Sequence, residues 1–401
     1  SRVSRGLGDV YKRQKQWCAL FEKDQIGRED DFFALGGQSL LATQLVGRLK
    51  QQDSIRLSLQ AVFDTPVLKD LASQCISELS SWSAHGTQDL AVFARAPRLP
   101  NMPTSAVQQR LWFVQQLLPT SAAYHMPLGL KFTGRVNVAV LKQAINTLVS
   151  RHEILRTNFA QVDGELMQQV RPERYIELGI HEAAVNDQDR LSHYKDLIAK
   201  PFNFADGALI RFDWMPQTSD LDEFCKLGEQ DEKAELLIVV HHIISDGISM
   251  QLLLKELSGC YQSLVDPTYK GSETPSELQY IDYAQWQKQW LESEDASRQK
   301  GWWLDALKYD IEPLVLHSDV PREQTETSGN RLHFELSREQ IASISQLAKS
   351  HSTTPFNVML TLWHLLMHKY SGQEQIRVGV PVAGRTQPET QVMQGCLLYT
   401  S

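Results

Sequence analysis

Glu235-Leu236-Leu237-Ile238-Val239-Val240-His241-His242-Ile243-Ile244-Ser245-Asp246-Gly247 is the stretch that decides the fold. Its aliphatic and β-branched opening, Glu235–Val240, predicts a strand. Ile248–Leu264 follows directly and predicts a helix, with Leu252, Leu253, Leu257 and Leu264 available for packing. Polar residues at the carboxyl end of such a strand open onto a crevice. Alternation along the strand sends His241 and His242 to opposite faces, so only one of them can meet a cleft. We assign His241 to the core as structural support and His242 to the site. Asp246 has three readings: it orients the histidine, caps the following helix, or pairs with an arginine, for which Arg385 is the candidate. Gly247 lets a backbone N–H approach a substrate oxygen. Two adjacent histidines splay apart and have no third ligand at H-x-x-x-H spacing, so no metal is expected.

Helices and strands alternate on either side of this stretch, from Pro103 onward, as in α/β layers. Helices are expected at Ala106–Leu118, Val138–Arg151, Gln279–Trp303, Arg338–Ser350 and Pro355–Tyr370, and strands at Arg331–Leu336 and Gln375–Val382. Residues 81–102 read as a linker: serine and glycine give way to Pro97 and Pro100, flexible chain followed by stiff chain. Before it, Trp17–Leu79 is a compact helical block, with Leu40, Leu41, Leu45, Val46 and Leu49 at helical spacing. Thr65 and Pro66 are the expected cap and first position of a helix over Val67–Leu79. Residues 1–14 are basic and lack the apolar core of a secretion signal. Residues 1–14 are expected to be a non-native or disordered end, and both they and the final Gly395–Ser401 to be edges of a gene fragment that carry non-native sequence.

The 401 residues suit two or three domains. Forty Lys and Arg against 48 Asp and Glu leave a formal charge of −8, which argues against a nucleic-acid partner. No apolar run reaches the ~18–20 residues of a membrane span. Five scattered cysteines, with no C-x-x-C pair, suit a reducing compartment, so a cytoplasmic location is expected.

Asp30-Asp31-Phe32-Phe33-Ala34-Leu35-Gly36-Gly37-Gln38-Ser39-Leu40-Leu41 is the densest local signal. Gly36 and Gly37 permit a tight turn, and Ser39 opens a helix whose N-terminal N–H groups favour a phosphate. The bland alternative for Ser39 is a plain helix cap. The segment Asp31–Leu49 resembles the core of a peptidyl carrier protein of a nonribosomal peptide synthetase. That resemblance implies 4′-phosphopantetheine, attached to Ser39 by a phosphopantetheinyl transferase.

The motif His241–Gly247 resembles the active-site signature of condensation domains. Three further segments agree in order: Ser105–Phe113 (with Val107 where alanine is usual), Arg151–Phe159, and Tyr280–Trp286 (with Gln285 where a small apolar residue is common). Val380–Arg385 resembles the segment before the family's fifth motif, whose FVNT-type strand is expected to be missing. The implied architecture is multidomain: a small all-α four-helix carrier bundle, then an α/β, chloramphenicol-acetyltransferase-like, two-lobed condensation domain with its second lobe incomplete. The expected boundaries are 15–80 for the carrier, 103–275 for the N-terminal lobe and 276–401 for the C-terminal lobe. Arg151, His152 and Arg156 are read as a structural charge network. The resemblance implies nonribosomal peptide synthesis, with aminoacyl or peptidyl thioesters as substrates. Partners would be an upstream adenylation domain and downstream adenylation and carrier domains. Gln109–Phe113 and Arg151–Phe159 resemble the subtype joining two L-residues. Rival readings are an epimerization domain, which shares the His-His motif, and an idle scaffold. Gly-Gly-Gln-Ser-Leu in place of the GGDSI usual before epimerization disfavours the first. The isolated fragment is expected to be poorly soluble or inactive.

Treatment with a phosphopantetheinyl transferase and coenzyme A is expected to add one phosphopantetheine at Ser39, located by peptide mass spectrometry, and none in Ser39→Ala.

Overall fold

The computed structural model describes residues 14–21, 23–37, 41, 42, 45, 46, 49, 57, 59–81, 93–182, 186–216, 233–269, 277–309, 311–316, 332–351, 353–385 and 387–400. Residues 1–13, Ser39 and the expected lobe boundary at 275/276 lie outside them. The chain divides into two compact units: residues 1–88 with 300–381 and 400–401, and residues 89–299 with 382–399.

In the first unit the carrier segment is helical at 14–21, at the described positions of 41–49, in α1 (Leu59–Asp64) and in α2 (Leu68–Ser81). Trp17, Ile26, Phe32, Leu45, Leu49, Val62 and Leu68 form its buried core. The Trp17 and Phe32 rings meet edge to face at 5.3 Å, a favourable geometry for aromatic quadrupoles. Thr65 is not the cap expected of it. Its hydroxyl bonds Ala61 O and Gln74 Oε1, and Val67 is taken up in a bridge to Asp31, so α2 begins at Leu68.

The second unit starts on a strand, β1 (Met102–Pro103), and a helix, α3 (Ala106–Leu117). Ser105 caps α3 in a reciprocal box with Gln108. Then come β2 (His125–Thr133), α4 (Val138–Arg151), β3 (Thr157–Val162), β4 (Glu165–Val170), β5 (Leu178–Ile180), α5 (Asp187–Ala199), β6 (Ile210–Pro216) and β7 (Lys233–His241). One sheet has the order β1-β4-β3 and the other β2-β7-β6-β5. In the second, β7 pairs antiparallel with β2 and β6, and β5 runs parallel to β6. Leu236–Val240 on β7 are buried on both faces, which is why that run is continuously apolar rather than alternating. Past β7 lie α6 (Gly247–Val265), α7 (Tyr280–Leu291) and α8 (Glu294–Ala306). α4 packs on α6.

Three expectations are corrected. The helix foreseen over Gln279–Trp303 breaks between Leu291 and Glu294, where the Ser293 hydroxyl accepts from Ala296 N and restarts the helix. Within the linker expected over 81–102, Ser81 belongs to α2, and the described residues 93–102 pack along α7 and β4. The strands expected at Arg331–Leu336 and Gln375–Val382 are absent from the described residues apart from Pro381–Val382. β-propensity needs a neighbour to pair with. In the first unit, α9 (Arg338–Ser350) and α10 (Pro355–Ser371) form as expected, but Phe356, Trp363 and Leu366 on α10 are exposed.

His241 is fully buried, and burial pushes it down to about 3, helped by His125 and His242. An unfolded histidine titrates near 6.5. Below that pH the unfolded chain takes up a proton that the fold refuses, so stability is full above ~6.5 and falls as the pH drops toward 3. The linkage slope is ~1.4 kcal/mol per pH unit for one proton. Urea unfolding at pH 7, 6, 5 and 4 is expected to show a slope in the wild type one proton steeper than in His241→Gln.

Candidate active site

β7 ends at His241, and the chain turns at once through a 3-10 turn, His242–Ile244, before Asp246 caps α6. The two histidines part company here. His241 Nδ1 accepts from Ile243 N at 3.1 Å, which puts the ring hydrogen on Nε2, facing Gln115 Oε1 at 3.4 Å. Tyr124, His125, Phe202 and Phe204 ring it. This imidazole is neutral and walled in. His242 is half-buried. Its backbone N–H donates to Tyr124 O at 2.9 Å, and its Nδ1 lies 3.3 Å from Cys396 Sγ. Burial pushes that thiol up to about 12, so it stays protonated. With Nδ1 engaged, Nε2 is the ring atom left to meet a substrate.

Asp246 does not orient the histidine. Its Oδ1 accepts from Ser249 N at 2.8 Å and from Arg385 Nη2 at 2.9 Å, and its Oδ2 accepts from Leu397 N at 3.0 Å. Two of its three sequence readings therefore hold together: cap and ion pair. The Asp246 and Arg385 side chains are 3% and 1% exposed, so the pair is essentially dry. Arg385 also donates through Nη1 to Thr390 O and Met393 O, and through Nη2 to Ser249 Oγ. Gly384, at φ +65°, has no room for a Cβ: one would sit 2.1 Å from Leu397 O. Gly247 is the first residue of α6 and is exposed, and a Cβ there would meet nothing within 4 Å. Its bare backbone is open to approach.

Arg151, His152 and Arg156 are not brought to His242 by any bond described. His152 Nε2 lies 2.7 Å from Glu256, Arg156 donates to Arg171 O, and Arg151 closes the last turn of α4. Sequence reasoning missed Ser249, Gln115 and Cys396. Ser249 was findable as the third residue of a helix capped by Asp246. Its hydroxyl donates to Gly395 O at 2.7 Å and accepts from Gly395 N at 3.0 Å. Nothing in the local sequence marks Gln115 or Cys396.

On the carrier, Ser39 lies outside the described residues, but the turn before it does not. Gly36 has φ +98°, and a Cβ on Gly37 would strike Phe32 at 2.3 Å. Asp31 Oδ1 accepts from Phe33 N at 2.8 Å and Ala34 N at 3.0 Å, which pins the turn. A backbone stripped of side chains just ahead of the serine fits a phosphodiester there. Among the described residues no cluster of His, Cys, Asp and Glu can hold a metal.

The family model described as "Condensation domain" matches residues 100–400, and the one described as "Phosphopantetheine attachment site" matches residues 14–75. The chain belongs to the condensation-domain family. It carries a phosphopantetheine-binding domain ahead of the condensation domain, the pair found in nonribosomal peptide synthetases. Surfactin synthase subunit 1 of Bacillus subtilis (strain 168) is 32% identical over 408 residues, all of this chain and 11% of that protein. Tyrocidine synthase 2 of Brevibacillus parabrevis is 30% identical over 387 residues, 96% of this chain and 10% of that protein. The chain thus spans a small part of the curated relatives it matches. Among solved structures, the X-domain from teicoplanin biosynthesis in complex with OxyB has a TM-score of 0.67 at 19% identity, over 79% of this chain and 67% of that one. The first condensation domain of the calcium-dependent antibiotic synthetase has a TM-score of 0.59 at 19% identity, over 75% and 68%. These likenesses establish the condensation-domain fold. No helix among the described residues is long and apolar enough to cross a membrane.

Removing one partner of a dry ion pair strands the other, at a cost of ~3–5 kcal/mol. Arg385→Ala is expected to lose that much in urea unfolding. Arg385→Met with Asp246→Asn, which strands no charge, is expected to recover a measurable part of it. Equal stability of Arg385→Ala and wild type would show the pair to be idle.

Proposed function

We propose that this chain joins carrier-bound substrates by an amide bond, with His242 as its catalytic side chain and Ser39 as the attachment point of the donor. The supporting observation is the single half-buried imidazole where β7 meets α6, held through its backbone N–H and Nδ1 so that Nε2 is left over. When attached, phosphopantetheine supplies a thiol that holds the donor acyl group as a thioester. The second substrate is the free amine of a downstream aminoacyl carrier. The amine nitrogen attacks the thioester carbonyl, a C–N bond forms, the C–S bond breaks, and the thiol leaves with a proton.

In the tautomer whose Nδ1–H faces Cys396 Sγ, His242 accepts the attacking amine's proton at Nε2, a task suited to an imidazole near neutral pH. The Gly247 N–H, at the positive end of α6, faces the oxygen that becomes negative during attack. Asp246 and Arg385 act as positioning residues, holding the turn that carries both. Gly36 and Gly37 present Ser39 to the transferase that modifies it. An adenylation domain loads the donor, and downstream adenylation and carrier domains provide the acceptor. The two joined residues are both L-configured in this reading, and the reaction takes place in the cytoplasm.

His242→Ala is expected to lower amide formation by ~10²–10⁴-fold while phosphopantetheine loading of Ser39 stays unchanged, both followed by mass spectrometry. Undiminished amide formation would remove His242 from the mechanism.

A further inference from the structure

We propose that residues 93–101 form a strap, latched by Arg98, that makes the condensation centre favour the donor on its own chain over one supplied by a separate carrier. The proposal rests on the reading of Ser39 as donor site.

The sequence of this segment gives no sign of a latch, and the structure shows one built around a buried carboxylate. Asp282 is the third residue of α7, and its side chain is wholly buried. It is met by Arg98 through both guanidinium ends, Nη1 on Oδ1 and Nη2 on Oδ2 at 2.9 Å. Ala96 N donates to Oδ1 at 2.7 Å, and Gln279 N donates to Oδ2 at 2.8 Å. The third guanidinium nitrogen of Arg98, Nε, donates to Glu153 Oε1 at 3.1 Å. One side chain of the strap thus serves two carboxylates on separate elements. A planar, forked cation can do this, and a lysine cannot.

The rest of the strap is fastened at both ends. Phe93 packs its ring 6.5 Å from Tyr283 and 6.0 Å from Trp286. Asn101 Oδ1 accepts from Gln169 Nε2 at 2.8 Å, and β1 then joins β4. Pro97 and Pro100 lower the entropy lost when the segment docks.

Latching sets a length. Ser81 is the last described residue of the last carrier helix, and Phe93 is the first described residue of the strap, so eleven residues of sequence, 82–92, separate them. With the strap undone, the next fixed point is Met102 in β1, and the intervening chain grows to the twenty residues 82–101. The effective concentration of a tethered partner falls roughly as the −3/2 power of length. Releasing the strap therefore lowers the advantage of the in-chain donor about two- to threefold. Arg98 acts through the strap and is a positioning residue.

The test is a competition in the complete synthetase protein. Ser39 carries one donor, a separately supplied carrier bears the same donor in heavy-isotope form, and the product ratio is read by mass spectrometry. The variant is Arg98→Met with Asp282→Asn, which opens the latch without leaving a charge on the wholly buried Asp282, while Glu153, 14% exposed, loses its Arg98 contact as well; Arg98→Lys retains charge but not the forked grip. A merely structural defect lowers both products alike and leaves the ratio unmoved. The expected result is a ratio two- to threefold lower in the double variant and an intermediate value in Arg98→Lys, with new chymotryptic cleavage after Phe93. An unchanged ratio, with or without that cleavage, overturns the strap. A wild-type protein that draws only on the separate carrier overturns the donor reading itself, a result distinguishable because it needs no variant.

Discussion

A carboxylate sealed from water must have a cation and donors beside it, or it will not stay ionised there. Asp246 meets that constraint with Arg385, 139 positions later in the chain, and with two backbone N–H groups. Such a pair is a poor source of net stability compared with apolar residues of the same shape. Its strength lies in being selective about register. A guanidinium that also satisfies Thr390 O, Met393 O and Ser249 Oγ has one acceptable place. The returning segment 384–397 is therefore docked at a single depth against α6. That depth brings Cys396 to His242 and Leu397 N to Asp246.

The same logic explains why two adjacent histidines behave so differently. β7 is an interior strand of its sheet, and its last residue, His241, is still paired with His125 of β2. It inherits the dryness of the strand and is held neutral. The next residue has left the ladder. His242 is the first of the 3-10 turn, so its side chain escapes the apolar layer while its N–H remains tied to Tyr124 O. The exposure of the two rings is set by one step along the backbone.

This much was legible because it follows from local rules. Strand, turn and helix at 233–265 follow from the apolar run, the polar break and the leucine spacing. The opposite fates of the histidines follow from alternation. No periodicity specifies the long-range pairing of Asp246 with Arg385; a returning arginine is only one candidate partner for an acid at a strand end. What stayed hidden depends on partners distant in sequence. Arg98 looked like one charge in a proline-rich linker, because proline announces an extended chain without saying whether anything binds it. Asp282 stands among Tyr280, Tyr283 and Trp286, and a buried carboxylate cannot be told from an exposed one by its letter. The break near Leu291 was hidden for a different reason: Ser293 caps a new helix only once the chain has already turned. The strands expected at 331–336 and 375–382 failed because a β-rich composition forms a ladder only where a neighbouring strand is in place.

Among the described residues the side chain bonded to His242 is the Cys396 thiol alone, and that sparse company fits the proposed chemistry. Amide formation from a thioester is favourable once an amine is held against the carbonyl, and orientation alone is worth up to ~7–11 kcal/mol of barrier in well-aligned cases. What remains is to receive one proton and to steady one developing negative oxygen. An imidazole and a helix N-terminus suffice for these. A second carboxylate free beside His242 would raise its basicity, but it would also attract the proton that the departing thiol must carry away. Committing Asp246 to Arg385 removes that competitor. On this reading the ion pair does two things for the reaction: it places the turn, and it keeps the only buried acid of the motif out of the proton traffic.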